Sequence, residues 1–303
     1  MDTKSKIILI SGPTASGKSK FAIEVAKKIK GEIINADSMQ VYRELSILTA
    51  RPKKKDQKNI KHYFYGFQTV KKNFSTGSWL RLVKKKIKEI QKRNKVPILV
   101  GGTGLYFKSL TDGLVKMPNI PINYRNKIRL LQKKIGQKNF YKRLIKIDPL
   151  IKNQINKNDV QRTLRAFEIK KFTKQSITQW FKKTKTLFDP TLFIKIYIDY
   201  PRDELIDKIK ERVDKMFNEG VLLEVKKFNR LNVKKDRSSN KIIGIDEIGK
   251  FLNGQISLID AKERIFIKTR QYAKRQTTWS RGQMPSWEKI HPKNLNLTLK
   301  KLK

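Results

Sequence analysis

The sequence contains no cysteine. That excludes disulfides and thiolate metal sites, and it suits a reducing compartment. Histidine is nearly absent: His62 and His291 are the only two, too few for a histidine metal centre. No apolar run approaches the ~20 residues that a membrane-spanning helix needs, so no membrane association is expected. A strand-like apolar run opens at Ile7 and leaves no room for a signal peptide before it. The cytoplasm is therefore the expected setting. Acidic residues are also scarce, with 26 Asp+Glu against 71 Lys+Arg and a formal net charge of +45. Such an excess fits a nucleic-acid partner, whose affinity rests on phosphate neutralisation. A compositional origin also fits, because the chain is rich in Lys, Asn and Ile. The 303 residues, 38% hydrophobic and 32% charged, can bury the core of one large domain or two modest ones.

What is present begins with residues 12–19: Gly12, Pro13, Thr14, Ala15, Ser16, Gly17, Lys18 and Ser19. The pattern G-x-x-x-x-G-K-[ST] follows an apolar run (7–10) and precedes a helix-like stretch (18–29), the context a phosphate-binding loop requires. Gly12 and Gly17 let backbone N–H groups turn inward, and the helix N-terminus adds partial positive charge. Lys18 adds a full charge. Ser19 offers a hydroxyl to a magnesium ion, the one cofactor expected. A di- or triphosphate is the expected ligand.

Apolar runs at 7–10, 32–36 and 96–100 alternate with helical stretches at 18–29 and 76–93, which predicts parallel strands with helical crossovers. Met117-Pro118-Asn119-Ile120-Pro121 then breaks the chain. Residues 122–186 carry helical spacing, many lysines and no convincing strand, and a strand-like run returns at 191–199. The expected fold is α/β: a parallel sheet core of the P-loop type flanked by helices (1–116 and 190–303) around an inserted all-helical domain (117–189). A helix from about Arg202 carries an apolar stripe at Leu205, Ile209, Val213 and Phe217. A second helix is expected from Ser257, a capping residue with Asp260 three positions on. Its residues Leu258, Ile265, Tyr272 and Trp279 fall on one side, and Arg270, Lys274 and Arg281 roughly opposite. That basic face is either a solvated surface or a contact to a nucleic-acid backbone.

Most phosphate loops belong to kinases and NTPases, which generally carry an Asp at the end of a second strand to help hold magnesium. The candidate strand at 96–100 instead runs into Gly101-Gly102-Thr103-Gly104-Leu105-Tyr106. An acid appears elsewhere, where 32–36 runs into Asp37-Ser38-Met39-Gln40. At the carboxyl end of a parallel strand, Asp37 would face the phosphate-loop crevice. It could also simply cap the next turn.

These segments, in this order and spacing, resemble the tRNA dimethylallyltransferases. The resemblance rests on residues 12–19, 37–43, 100–106, 158–168 and 271–279, and it extends almost from end to end. It implies transfer of a dimethylallyl group from dimethylallyl diphosphate to the exocyclic N6 amine of the adenosine 3′-adjacent to the anticodon of tRNA. The loop then grips the leaving diphosphate. Asp37 becomes the general base, with Lys18 and Thr103 as its catalytic partners. The resemblance further implies that Asp37, Ser38, Met39 and Gln40 hold an extruded base. Arg125, Gln161, Arg162, Thr163, Leu164, Arg165, Lys274, Arg275 and Arg281 become contacts to the tRNA anticodon stem-loop, together with the turn at 241–246. A monomer is the expected state. Two departures stand out: Ile245-Asp246 follows Gly244 where the family usually has a Tyr and a basic residue, and Lys61-His62-Tyr63 keeps one of the family's frequent paired histidines. A small-molecule kinase or NTPase and a non-catalytic RNA-binding protein are the rival readings.

Overall fold

The computed structural model describes residue 3 and residues 5–302, which divide into two compact units, 112–187 and the remainder. The larger unit is built on six strands: β1 (Ile7–Ser11), β2 (Gly31–Asn35), β3 (His62–Tyr63), β4 (Val96–Gly101), β5 (Phe193–Ile198) and β6 (Glu288–Ile290). They form one sheet in the order β3-β2-β4-β1-β5-β6, and every pairing is parallel. The fold is thus the expected α/β class. The short edge strands β3 and β6 carry no run that the alternation of apolar residues could reveal.

Strand side chains alternate between the two faces. Ile7, Leu9, Ile34 and Leu99 pack with α2 (Thr76–Gln91) and α3 (Gly104–Thr111) through Trp79, Val83, Ile87, Tyr106 and Phe107. Ile8, Ile10, Ile33, Ile98 and Val100 pack with α1 (Lys18–Lys28) through Phe21, Ala22, Val25 and Ala26. Each fully buried aliphatic of this kind stabilises the fold by roughly 1.5–3 kcal/mol. Coverage on both faces is why the greater part of β1 and of β4 reads as an unbroken apolar run.

The smaller unit contains α4 (Ile122–Ile147), broken at Gly136, α5 (Val160–Thr173) and α6 (Ile177–Phe181). Phe140, Leu144, Ile151, Ala166, Phe167 and Ile169 form its core. It holds no strand among its described residues.

The chain returns to the larger unit with α7 (Arg202–Asn218), α8 (Val221–Arg230), α9 (Ile245–Leu252), α10 (Leu258–Gln283) and α11 (Leu295–Lys301). Leu205, Ile209 and Val213 of α7 are buried as the stripe predicts. Ser257 and Asp260 form a reciprocal capping box on α10. Of the residues expected on the packed side of α10, Ile265 is buried and Trp279 packs against the core. The buried face is broader than the expected one. It runs through Ala261, Ile265, Thr269, Ala273 and Ser280, while Leu258 is 37% exposed. A buried face repeating at four-residue steps lets small residues bring the helix close to its neighbours. Arg270, Lys274 and Arg281 are exposed, as expected.

Gly101 marks the tightest approach in the sheet rim. A Cβ there would lie 2.1 Å from the Ala36 carbonyl carbon and oxygen and 2.7 Å from the Asp37 nitrogen. Gly101→Ala must therefore displace the backbone that carries Asp37. Overpacking of this kind costs about 1–3 kcal/mol, measurable by chemical denaturation; an unchanged unfolding midpoint would contradict this packing.

Candidate active site

The loop after β1 turns through Ala15 (φ 64°) and Gly17 (φ 76°) into the first turn of α1. Gly17 is free to adopt that left-handed angle. Lys18 folds back so that its Nζ donates to the Pro13 carbonyl at 3.0 Å, leaving the ammonium over the loop. Buried Ser16 Oγ has no hydrogen-bond partner among the described residues, and Ser16 and Ser19 both line the adjacent cleft.

β2 delivers Asp37 to the same rim. Asn35, fully buried, fixes the backbone there: its Oδ1 accepts from Asp37 N at 2.9 Å, and its Nδ2 donates to the Asp37 carbonyl at 2.9 Å and the Phe64 carbonyl at 3.1 Å. Asp37 Oδ1 accepts from Met39 N at 2.8 Å and Gln40 N at 3.4 Å. Capping and catalysis are thus compatible readings of this residue. One carboxylate oxygen closes the turn, and Oδ2 makes no hydrogen bond to a described residue. β4 brings Thr103, whose Oγ1 accepts from Ser38 N at 2.9 Å and donates to Ser38 Oγ at 3.2 Å.

Three hollows lie along this rim. The first, of about 670 Å³, is walled by Ser16 to Ser19, Asp37 and Arg212. The second, of about 300 Å³, has Thr14, Lys18, Asp37 and Arg212 on one side and Leu48, Val213, Met216 and Ile265 on the other. The third, of about 310 Å³, is lined by Ser38, Thr103, Tyr272 and Trp279. The first two share Lys18, Asp37 and Arg212; the last two share Met39, Tyr272, Arg275 and Gln276. The first hollow carries Lys18 and Arg212, and the second sets those charges beside the aliphatic side chains of Leu48, Val213, Met216 and Ile265. The third adds the ring of Trp279 to that of Tyr272; Asp37 lines the first two.

Electrostatics follow from burial. Loss of water pushes the Lys18 ammonium down to about 8; Asp37 opposes that shift and Arg212 adds to it. Burial also lowers the Arg212 guanidinium, with Asp37 again opposing. Burial, reinforced by Asp37, raises the Tyr272 phenol, which keeps its proton.

Arg212 was not anticipated from the sequence. Its Nη1 donates to Thr14 Oγ1 at 2.8 Å and its Nη2 to the Leu48 carbonyl at 3.4 Å. The signal was a lone arginine beside the apolar stripe of α7. Gln276 was also missed as an individual residue, although it lies in the 271–279 motif. The remaining anticipated residues divide. Asp37 to Gln40, Thr103 and Arg275 gather along the three hollows. The Gln40 side chain donates to the Thr49 carbonyl at 3.0 Å. Lys274 and Arg281 line a separate hollow of about 550 Å³ with Arg202, Arg270 and His291. Of the 241–246 turn, Lys241, Ile242 and Ile243 line the middle hollow, whereas Ile245 and Asp246 open α9, and Asp246 pairs with Lys250 at 3.0 Å. His62 stands on edge strand β3, its Nδ1 2.8 Å from the Ile60 carbonyl.

In the smaller unit, Gln161 and Arg162 are exposed at the start of α5, and Leu164 is half-buried. Thr163 is fully buried, its hydroxyl donating to the Asp159 carbonyl at 2.6 Å and accepting from Gln137 Nε2 at 3.2 Å. Buried Glu168 gathers Arg125 at 3.2 Å, Arg165 at 3.4 Å and Arg129 at 4.0 Å. Arg125 and Arg165 are thus half-buried partners of a carboxylate as well as surface cations. Trp180 packs against the unit's core, and Phe181 is 55% exposed.

A parallel α/β sheet with a phosphate loop on β1, an acid after β2 and a glycine-rich turn after β4 defines a class of P-loop enzyme whose acid comes from an unusual strand. The family model for IPP transferase matches residues 40–283, and the chain belongs to that family. It is 59% identical over its full length to the tRNA dimethylallyltransferase of Pelagibacter ubique, covering 97% of that protein. It is 41% identical to the tRNA dimethylallyltransferase of Rickettsia massiliae, covering 98% of this chain and 83% of the relative. Among solved structures it is similar to the tRNA isopentenylpyrophosphate transferase of Bacillus halodurans, with a TM-score of 0.71, 31% identity and coverage of 98% and 95%. A eukaryotic dimethylallyltransferase acting on tRNA aligns with a TM-score of 0.79 at 29% identity, over 91% of this chain and 69% of that one.

The lowered Lys18 value predicts a pH dependence. The free protein loses the Lys18 charge as pH rises through about 8, so the charged form that attracts a diphosphate becomes scarcer above it. Affinity for an alkyl diphosphate, itself fully ionised there, should fall towards tenfold per pH unit. Calorimetric titration from pH 7 to 9.5 measures it, and Lys18→Arg should flatten the fall. A flat wild-type profile would contradict the assignment.

Proposed function

We propose that this chain transfers a dimethylallyl group from dimethylallyl diphosphate to the N6 amine of the adenosine 3′-adjacent to the anticodon in tRNA. The observation that carries this reading is the position of Asp37, which borders both the cationic cleft and the partly aliphatic hollow beside it. The loop amides, Lys18 and Arg212 bind the diphosphate. The five-carbon tail rests against Leu48, Val213, Met216 and Ile265. The extruded adenine enters from the side of Ser38, Met39 and Thr103.

The adenine amine is a weak nucleophile, because its lone pair is delocalised into the ring. Its nitrogen forms the new bond to the allylic carbon as the carbon–oxygen bond to diphosphate breaks. The bonding pair leaves with the diphosphate, where Lys18, Arg212 and the loop N–H groups meet the growing charge. The amine proton becomes acidic as the C–N bond forms, and Asp37 Oδ2 accepts it. Asp37 Oδ1 stays on its turn, so the base needs no rearrangement to act.

The donor set suits magnesium. Among the described residues no cluster of three His, Cys, Asp or Glu could hold a bare ion, but the Ser19 hydroxyl and the Asp37 carboxylate line one cleft. Few protein oxygens supplemented by phosphate oxygens and water is how magnesium is usually held. When bound there, the ion would neutralise charge on the diphosphate.

Gln161, Arg162, Arg125 and Arg165 in the helical unit, and Arg275, Lys274 and Arg281 on α10, are the proposed contacts to the anticodon stem-loop. RNA loops are commonly read through splayed bases and Arg contacts. The reaction is placed in the cytoplasm, in a monomer; among the described residues no helix is long and apolar enough to cross a membrane.

Purified protein given tRNA, magnesium and labelled dimethylallyl diphosphate should place the label in the RNA; label that never leaves the diphosphate would reject the reading. Asp37→Asn should bind tRNA within about twofold of wild type and lose about 10²–10⁴-fold in turnover, the usual worth of a positioned base. Single-turnover kinetics with a filter-binding control separates the two, and near-wild-type turnover would remove Asp37 from the base role.

A further inference from the structure

We infer that Gln276 is a positioning residue that ties the phosphate loop to the glycine-rich turn, holding the donor end and the base end of the site at a fixed separation. The inference rests on the transfer reading above and names a residue that reading does not use. Gln276 stands on α10, between the two loops. Its Oε1 accepts from the Thr14 N–H at 2.8 Å, and its Nε2 donates to the Gly102 carbonyl at 2.9 Å. Donor and acceptor are both used, so the amide is fixed in one orientation.

Its neighbours extend the tie in both directions. Thr14 is held from its other side by Arg212, at 2.8 Å to Oγ1. Gly102 is followed by Thr103, which holds Ser38 N and Oγ, one residue from Asp37. A continuous path therefore runs from the cation at the diphosphate, through Gln276, to the turn that carries the base. Gln276 also lines both the middle and the base-side hollows, so the tie crosses where the reacting groups must meet.

Gly102 shows how close this contact is. A Cβ added there would lie 2.2 Å from Gln276 Nε2. A glycine lets the amide close on the carbonyl, and any side chain would push it off. The Thr14 N–H is engaged by Gln276, so this loop amide aligns the two loops.

In-line attack is sensitive to such alignment, and a misplacement of about 1 Å can cost about 10²-fold in rate. Three variants divide the tie. Gln276→Leu removes both hydrogen bonds. Gln276→Glu keeps an acceptor for Thr14 and sets a carboxylate oxygen against the Gly102 carbonyl. Gly102→Ala leaves Gln276 in place and blocks its approach. Each should lower kcat by about 10- to 100-fold, with KM for tRNA and for the prenyl diphosphate within about threefold of wild type. The double variant Gln276→Leu with Gly102→Ala should be no slower than the slower single one, because contacting residues that share one function do not add.

Thermal melts accompany each measurement, and a variant that does not fold is replaced in the comparison by the other two. A kcat within twofold of wild type in a folded variant overturns the inference. So does a rise in KM with kcat unchanged, which would make Gln276 a binding contact. Full additivity of the double variant overturns it as well. Wild-type protein that transfers no label removes the transfer reading itself, a failure seen before any variant is made.

Discussion

Two cations and one carboxylate share the desolvated rim of the sheet, and that imbalance organises the site. Lys18 and Arg212 are both destabilised by burial, and each is partly relieved by Asp37. A single carboxylate cannot neutralise both. In the proposed reaction a bound diphosphate would supply the missing negative charge, and Lys18 and Arg212 would meet the charge that grows on it as it leaves.

The sheet order makes this arrangement possible. β1 lies between β4 and β5, and β2 lies beyond β4. The carboxyl ends of β1, β2 and β4 consequently open side by side, and parallel sheets bind ligands at that edge. Segments far apart in the chain, at 12–19, 37–40 and 101–104, become neighbours through the pairing of their strands and through the side chains of Thr103 and Gln276. Ala36 N donates to the Val100 carbonyl at 2.7 Å, and Thr103 N to the Ala36 carbonyl at 3.2 Å. The absent side chain of Gly101 lets β4 come this close to Asp37. Helix α10 then crosses the rim and contributes Gln276, Tyr272 and Trp279.

Much of this was legible in the residues because it is local. The phosphate loop is a contiguous pattern with its own strand and helix. The long strands are rich in apolar residues because both faces of the sheet are covered, and the Ser257–Asp260 box announces α10. The illegible parts depend on tertiary partners. β3 has two residues and β6 has three, too few for periodicity, and each exists because a longer strand offers it hydrogen bonds. Arg212 looks like any surface cation of an amphipathic helix until α7 is seen to dock against Thr14 and Leu48. Thr163 reads as a polar residue among contact residues, but its hydroxyl bonds to Asp159 within the helix start. On α10 the seven-residue spacing of large side chains locates Ile265 and Trp279 against the core but not the small residues Ala261, Thr269, Ala273 and Ser280 that the helix also buries, nor the exposure of Leu258.

The scarcity of acids acquires a meaning once their positions are known. Glu224 accepts from Ser46 N, Ile47 N and Leu48 N, pinning the loop that walls the middle hollow. Glu32 binds Tyr63 and Arg93, Glu168 gathers three arginines, and Glu247 caps Gly244 and meets Lys268. Glu32, Glu168 and Glu247 are buried. These four carboxylates act as internal ties, held by backbone N–H groups or by basic and phenolic side chains, and the 26 acids of the chain leave a net excess of 45 positive charges. A surface left so strongly cationic repels itself. A polyanion such as the proposed tRNA substrate relieves that repulsion, because its phosphates bring negative charge to a surface rich in exposed lysine and arginine.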